Sequence, residues 1–289
     1  MDVIFNPKFE NAMFYATLAA YLMAIVLNWA CIVFRSSLVE KYRNGVLIAA
    51  FAGNVATILL SLVRANALSI QLDPFRLVNP YQFVLVFVAC IVLVNFGLLR
   101  REYAHMSATI SLPIIGALLL YVVVIIQQPL LDLSASMIYR SWWLTGYMLT
   151  TAVADSAFAV AFGIGIAYLI KEYLSKTKKR GVLGQYLPSM EILDELGYRL
   201  VAFGFPFFSL SIILGAIWAN IALGQFWSWQ PKETWSIIFW LAYLAYFRVR
   251  MLHDWRGSRS AWMLVMGFTA ILFTFIGISY FLPGPAINF

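Results

Sequence analysis

Eight stretches of apolar sequence dominate the chain and leave few ways for it to fold. They run over residues 11–34, 46–63, 81–99, 109–126, 143–170, 200–218, 234–247 and 260–281. A helix needs about 20 apolar residues to cross ~30 Å of hydrocarbon. The seventh stretch is short for that, and is extended to the charged residues that follow it. Apolar positions do not alternate as they would in barrel strands. Within lipid, the helix is then the way to satisfy every backbone N–H and C=O. The expectation is an all-α, polytopic integral membrane helix bundle of about eight transmembrane helices, forming a single integral membrane domain over 1–289. Composition points the same way: 63% of residues are hydrophobic and 11% are charged. That leaves too little polar surface to coat a soluble body. A water-soluble enzyme and a disordered or collagen-like chain are excluded.

Charge is distributed by loop. Of 20 Lys and Arg residues, 15 fall after the first, third, fifth and seventh stretches. Among these are Arg35, Lys41, Arg43, Arg100, Arg101, Lys171, Lys176, Arg199, Arg248 and Arg250. Lys8, Arg64, Arg76, Arg140 and Lys232 fall on the other side. Basic loops face the cytoplasm, so both termini are expected outside. The net charge of +7 then needs no nucleic acid to explain it. The first stretch lacks a basic leader and a cleavage site and is read as a retained span. Lys-Thr-Lys-Lys-Arg at 176–180 is either a contact with anionic headgroups or a plain stop-transfer anchor. Pro113 and Pro206 lie inside spans, where neighbouring helices tolerate a kink. Cys31 and Cys90 form no metal or haem-attachment spacing and are read as packing residues.

The segment richest in information is 215–240. Trp218, Trp227, Trp229, Trp235 and Trp240 cluster there, around Gly224, Pro231, Lys232 and Glu233. One or two Trp would be ordinary interface anchors. Five around an external loop, 218–235, suit a flat, apolar ligand with a polar edge, such as a porphyrin or a quinone headgroup. Lys232 is either a partner for a propionate or a solvated loop charge.

This segment resembles the tryptophan-rich "WWD" signature of the cytochrome c assembly proteins, the CcsA/ResC/CcmC group. It is most similar to the CcsA/ResC-type membrane subunit of cytochrome c synthase. Leu193-Asp194-Glu195-Leu196-Gly197-Tyr198-Arg199, Ala202-Phe203-Gly204-Phe205-Pro206 and Gly215-Ala216-Ile217-Trp218-Ala219-Asn220 carry the likeness. So do Trp227-Ser228-Trp229, Pro231-Lys232-Glu233-Thr234-Trp235, Trp255-Arg256-Gly257 and Leu282-Pro283-Gly284. Asn79-Pro80-Tyr81-Gln82 resembles the family's Asn-x-Tyr-Glu. The likeness is strong over 140–289 and weak over 1–139.

The resemblance implies haem (heme) as the cofactor, handled at the outer membrane face for delivery to apocytochrome c. It also implies axial histidines, since neutral imidazole binds haem iron. This chain has two histidines, His105 and His253, both in loops assigned to the cytoplasm and read as solvated. The family's outer histidines fall at Tyr147 and Ala286, and the histidine ending its seventh span falls at Arg248. The Asp of its Trp-x-Trp-Asp falls at Gln230. Tyr147 is either a phenolate ligand or an interface tyrosine, and Met148 a weaker ligand or a packing residue.

Trp218, Trp227, Trp229, Lys232, Trp235 and Tyr147 are therefore the candidate cofactor-binding residues, with no catalytic residue and no metal site assigned. If catalytic, the chain acts as part of a holocytochrome c synthase (haem lyase). The competing reading is a histidine-less, non-catalytic structural subunit of a larger redox or cytochrome complex, facing lipid or quinone. Expected partners are another membrane or periplasmic subunit (a ResB-like protein or a multihaem cytochrome) and lipids, with no nucleic acid. The expected location is the bacterial inner (plasma) membrane rather than the chloroplast thylakoid.

Other polar residues stand inside the apolar stretches. Asp155 lies about 18 Å into the fifth, near mid-membrane. It is read either as a proton carrier, for instance for quinone, or as a protonated side chain tying two helices. Asn54 and Asn95 are read as interhelical hydrogen-bond groups. Arg250 is read as a snorkelling anchor, and Arg248 as the residue that salt-bridges a neighbour. Polar residues along any one path are too few for a transporter or channel.

Overall fold

The computed structural model describes residues 7–34, 36–68, 80–99, 101–126, 141–177, 187–253 and 256–272. Among them are eight helices and no strand: α1 (Pro7–Phe34), α2 (Ser37–Leu68), α3 (Pro80–Gly97), α4 (Arg101–Ile126), α5 (Trp142–Lys176), α6 (Met190–Leu223), α7 (Pro231–His253) and α8 (Ser258–Leu272). The all-α, polytopic membrane bundle is what the apolar stretches require. Five helices, α1, α2, α4, α5 and α6, are long and apolar enough to cross a membrane. α3 and α8 are apolar but shorter within the described residues. α7 is not among the five, because its middle is aromatic rather than aliphatic and it ends on Arg248 and Arg250. Leu282-Pro283-Gly284, Ala286, Asn79, Trp255 and 178–180 lie outside the described residues, as do the side chains of Lys232, His105 and His253.

The chain divides into two compact units, Met1–Ala152 and Val153–Phe289. In the first, α1 packs on α2 and α4, while α3 packs on α4 and α2. Buried amides bridge three of these pairs. Asn28 Nδ2 donates to Thr109 Oγ1 at 3.1 Å between α1 and α4. Asn95 Nδ2 donates to Ser111 Oγ at 2.8 Å between α3 and α4. Asn54 Nδ2 donates to the Leu85 carbonyl at 3.3 Å, and Gln82 Nε2 to Ser61 Oγ at 3.0 Å, between α2 and α3. With no water to compete inside a membrane, such groups join helices that apolar packing alone would not orient. The interhelical reading of Asn54 and Asn95 holds.

The second unit is organised on the later part of α5, whose Ala157, Ala159, Ala161 and Ala167 are buried. Small residues let its neighbours come close. A Cβ added at Gly204 of α6 would lie 3.0 Å from Ala157 Cβ and 3.2 Å from the Ala154 carbonyl. One added at Gly165 would lie 3.0 Å from the Ala261 carbonyl of α8. From α7, Tyr243 stacks on Phe158 at 4.3 Å and 10°.

The far end of α6 and α7 is closed by an ion pair. Arg250 Nη2 and Nη1 donate to Asp194 Oδ2 and Oδ1 at 2.8 and 3.1 Å, and both side chains are 9% exposed. Asp194 also accepts the Gly257 N–H at 3.1 Å, and the Arg250 guanidinium lies 4.6 Å over the Tyr198 ring. Arg250 is thus not a snorkelling anchor but the partner of a carboxylate 56 residues away, while Arg248, the residue expected to pair, is exposed. The reason is helical register: two residues apart on α7, the two side chains point in different directions.

Gly204→Leu is expected to lower stability by about 1–3 kcal/mol through overpacking. Gly45→Leu, where nothing lies within 4 Å of an added Cβ, should hold or slightly raise it. Thermal unfolding of the purified protein in detergent compares the two. Arg250→Leu should cost about 3–5 kcal/mol by leaving Asp194 buried and unpaired, and Arg250→Leu with Asp194→Leu should recover most of the loss in the same assay.

Candidate functional site

The Trp-rich segment joins α6 to α7 as a short, backbone-defined loop. α6 stops at Gly224, whose left-handed backbone (φ 75°) lets its N–H bond the Asn220 carbonyl at 2.9 Å; glycine adopts that cap without a Cβ clash. α7 starts at Pro231, whose fixed φ suits a first helical position. Glu233 then reaches back over the loop. It accepts from the Ser228 N–H at 2.8 Å and from the Ser228 hydroxyl at 3.0 Å. A carboxylate in the first helical turn also complements the helix dipole. Thr234 Oγ1 donates to the Gln230 carbonyl at 3.1 Å and the Trp229 carbonyl at 3.4 Å.

This clamp holds Trp229 in an unusual state. Its φ is 56°, and it is the single non-glycine residue with positive φ among the described residues. Left-handed backbone costs a side chain with a Cβ about 1–2 kcal/mol. Trp229 is also 73% exposed, so burial of its indole does not compensate. Trp227 sits behind it, half-buried, and the two rings meet edge-to-face at 6.1 Å and 83°. The loop therefore presents a corner of two indoles. The Trp227 Nε1 is buried and has no hydrogen-bond partner among the described residues, although a buried indole N–H ordinarily finds one.

The other Trp residues serve the helices. Trp218 is buried on α6. Trp235 stacks on Phe239 along α7 at 5.7 Å. Trp240 donates from Nε1 to Ser209 Oγ of α6 at 2.9 Å and stacks on Phe205. Lys232 is the second residue of α7. Tyr147 belongs to α5 in the first unit, where it is half-buried, and Met148 beside it is buried. The structure thus gathers Trp227 and Trp229 with Ser228 and Glu233. Glu233 and Ser228 were missed as site residues, although an acidic residue two places after Pro231 is a recognisable helix-start signal. No group of three or more His, Cys, Asp or Glu residues that could hold a metal ion occurs among the described residues.

The model of the cytochrome c assembly protein family matches residues 77–285, well over half the chain. The chain belongs to the cytochrome c assembly protein family. Among curated relatives, it is similar to the cytochrome c biogenesis protein CcsA of Gloeobacter violaceus, at 38% identity over 43% of this chain and 37% of that one. It is 34% identical to the CcsA of Chlamydomonas reinhardtii over 48% of this chain and 38% of that one. Each match thus spans well under half of the relative's length. A solved structure titled cytochrome c heme lyase CcmF shares the fold, with TM-score 0.66 at 14% identity, covering 93% of this chain and 46% of that one.

Trp229→Asn, which tolerates left-handed backbone, is expected to hold or raise the unfolding temperature. Glu233→Ala, which opens the clamp, should lower stability by about 1–2 kcal/mol. A fall in stability with Trp229→Asn would show that the exposed indole serves folding.

Proposed function

We propose that the chain is a membrane subunit of cytochrome c biogenesis, whose Trp227–Trp229 corner shelters haem at the outer membrane face for attachment to apocytochrome c. The observation that carries this reading is the pairing of an exposed, backbone-strained Trp229 with a buried Trp227 N–H that lacks an acceptor among the described residues. Strain at an exposed residue is kept where function uses it. An apolar ring edge with carboxylate substituents would use both features, with the indoles against the ring and the Trp227 N–H or Lys232 on a propionate. The residues fit a porphyrin's face and edge, but the loop offers no iron ligand. Iron ligation is assigned to a partner, either a ResB-like membrane protein or a multihaem cytochrome. Any lyase activity then belongs to the assembled complex.

The loop and the Asp194–Arg250 pair stand at opposite ends of α6, and about 36 Å separates Asp194 from Trp218 along a helix, enough to cross a membrane. Together with the loop charge this supports a plasma-membrane protein with its termini outside. The second reading, a haem-free scaffold within a larger complex, is favoured by the presence of two histidines in the whole chain.

Protein purified with its neighbouring subunits should show a Soret band that Trp229→Ala weakens. A band absent from every preparation, with failure to restore cytochrome c maturation in a synthase-deficient cell, would leave the scaffold reading. Topology is tested separately. In a Cys31- and Cys90-free background, a cysteine at Gln230 should react with an impermeant maleimide from outside, and one at Ser175 should not.

A further inference from the structure

A second polar feature lies in the first unit, where helix register brings polar residues of four helices to one level. α1 ends at Phe34 and α2 begins at Ser37, so the two run antiparallel. Buried positions recur at spacings of four and three from Glu10 to Asn28 on α1 and from Arg43 to Ser61 on α2, the pattern of a helix–helix seam. A Cβ added at Gly53 would lie 2.8 Å from Thr17 Oγ1, which fixes the register of that seam. The Asn54–Leu85 and Ser61–Gln82 bonds then set α3 antiparallel to α2. From Thr17, Gly53 and Leu85, a run of about 15–17 Å toward the end where α1 gives way to α2 reaches Asn28, Arg43 and Asn95. The bonds Asn28–Thr109 and Asn95–Ser111 bring α4 to the same level.

This level is short of hydrogen-bond partners. Asn28, Asn95 and Ser107 are at most 2% exposed. Asn28 Oδ1, Asn95 Oδ1 and Ser107 Oγ are buried and have no partner among the described residues. Ser107 stands one turn from Ser111 on the same face of α4. Arg43 joins them, with a side chain 3% exposed. Its Nη2 donates to Glu40 Oε1 at 3.3 Å and to Asn44 Oδ1 at 3.0 Å, and its Nε to Asn44 Oδ1 at 3.2 Å. Those bonds do not use Nη1. The Glu40 contact is longer than the ~2.7–2.9 Å of a strong charge-assisted bond, and the Glu40 side chain is 51% exposed. A guanidinium so enclosed needs further solvation.

We propose that the first unit binds an occluded cluster of water molecules at this level. A water oxygen accepts from Arg43 Nη1, and water O–H groups donate to Asn28 Oδ1 and Asn95 Oδ1. Ser107 Oγ closes the cluster as donor or acceptor. The chemistry selects water over other ligands. Two amide carbonyl oxygens call for donors, which an anion lacks, and the fixed charge of Arg43 repels a cation. Acyl chains and apolar side chains offer no hydrogen bond. A buried water makes about three hydrogen bonds to groups otherwise unsatisfied, and α1, α2, α3 and α4 each supply one here. The cluster thus joins all four helices and lets Arg43 stay charged inside the bundle, whatever the Trp-rich loop binds.

The test is proton-detected solid-state NMR of the full chain in lipid bilayers, with nitrogen-15-labelled asparagine and arginine and magnetisation started on water. Transfer from water to the side-chain amides of Asn28 and Asn95 is the expected result. The two signals are assigned by their loss in Asn28→Ser and Asn95→Ser, or by Asn28→Gln and Asn95→Gln where the serine variant does not fold. Thermal unfolding of Ser107→Ala gives a second readout. Loss of a water partner should lower the unfolding temperature by about 2–4 °C, whereas removing a hydroxyl that has no partner should raise it. Amides that receive magnetisation only from lipid chains or directly from Arg43, or a Ser107→Ala protein that unfolds at the same or a higher temperature, would overturn the proposal.

Discussion

Hydrocarbon offers no hydrogen-bond partner, and that one constraint decides most of what this chain does with its polar residues. A group that water would satisfy at the surface must here find another side chain or a backbone carbonyl. Asn28, Asn54, Gln82 and Asn95 do so by crossing from one helix to the next. Each thereby fixes a rotation and a height that apolar contact leaves open, because lipid tails are as apolar as the neighbouring helix. The first unit is built largely on these bridges. In the second unit the same constraint is met at one end, where Asp194 and Arg250 neutralise one another and draw in Gly257 and Ser260. A buried ion pair of this kind adds little stability over an apolar pair but strongly penalises any arrangement that separates it. Its value lies in fixing which faces of α6, α7 and α8 meet.

The small residues of α5 set a second condition. Gly204 and Gly165 bring backbone within van der Waals contact of backbone, so α6 and α8 have little freedom to slide along α5. Aromatic residues fill the wider spaces left on α7. Phe239 and Tyr243 are buried, Phe205 stacks on Trp240 and meets Phe247 edge-on, and Trp235 stacks on Phe239. Close-packed backbones on one side and stacked rings on the other make a rigid frame. The strained loop joins two helices of that frame and is held by its own Ser228–Glu233 clamp.

Helix placement was legible because hydrophobic length is a local property: a run such as 200–218 announces itself whatever surrounds it. The amide bridges were legible in kind, since Asn54 and Asn95 inside apolar runs need partners, but the partners are fixed by packing and could not be named. The role of Arg250 was not legible. Its carboxylate lies 56 residues earlier, and nothing in the local sequence distinguishes it from Arg248, which points elsewhere. At the loop, indole density identified the segment, but density says nothing of orientation. Trp218, Trp235 and Trp240 look equivalent to Trp227 and Trp229 in sequence, yet they pack along α6 and α7. The left-handed backbone of Trp229 follows from the Ser228–Glu233 clamp, a pairing that spacing alone does not reveal.

A loop that only anchored the chain at an interface would have no reason to store strain. Interface tryptophans do their work from relaxed backbone, with the N–H toward water. Here Glu233 spends both carboxylate oxygens on Ser228, which fixes the loop in a shape that its exposed residue disfavours. The Trp227 N–H, meanwhile, is left buried with no acceptor among the described residues. Each feature costs free energy in the isolated chain, and the two rings stand edge-to-face 6.1 Å apart. A bound group with an apolar surface and an acceptor at its edge would offset the unsatisfied N–H and cover the exposed indole. A lipid tail would cover the indole but bring no acceptor, and water would supply the acceptor but leave the indole exposed. The ligand proposed above, planar, greasy and acidic at its rim, would answer both at once.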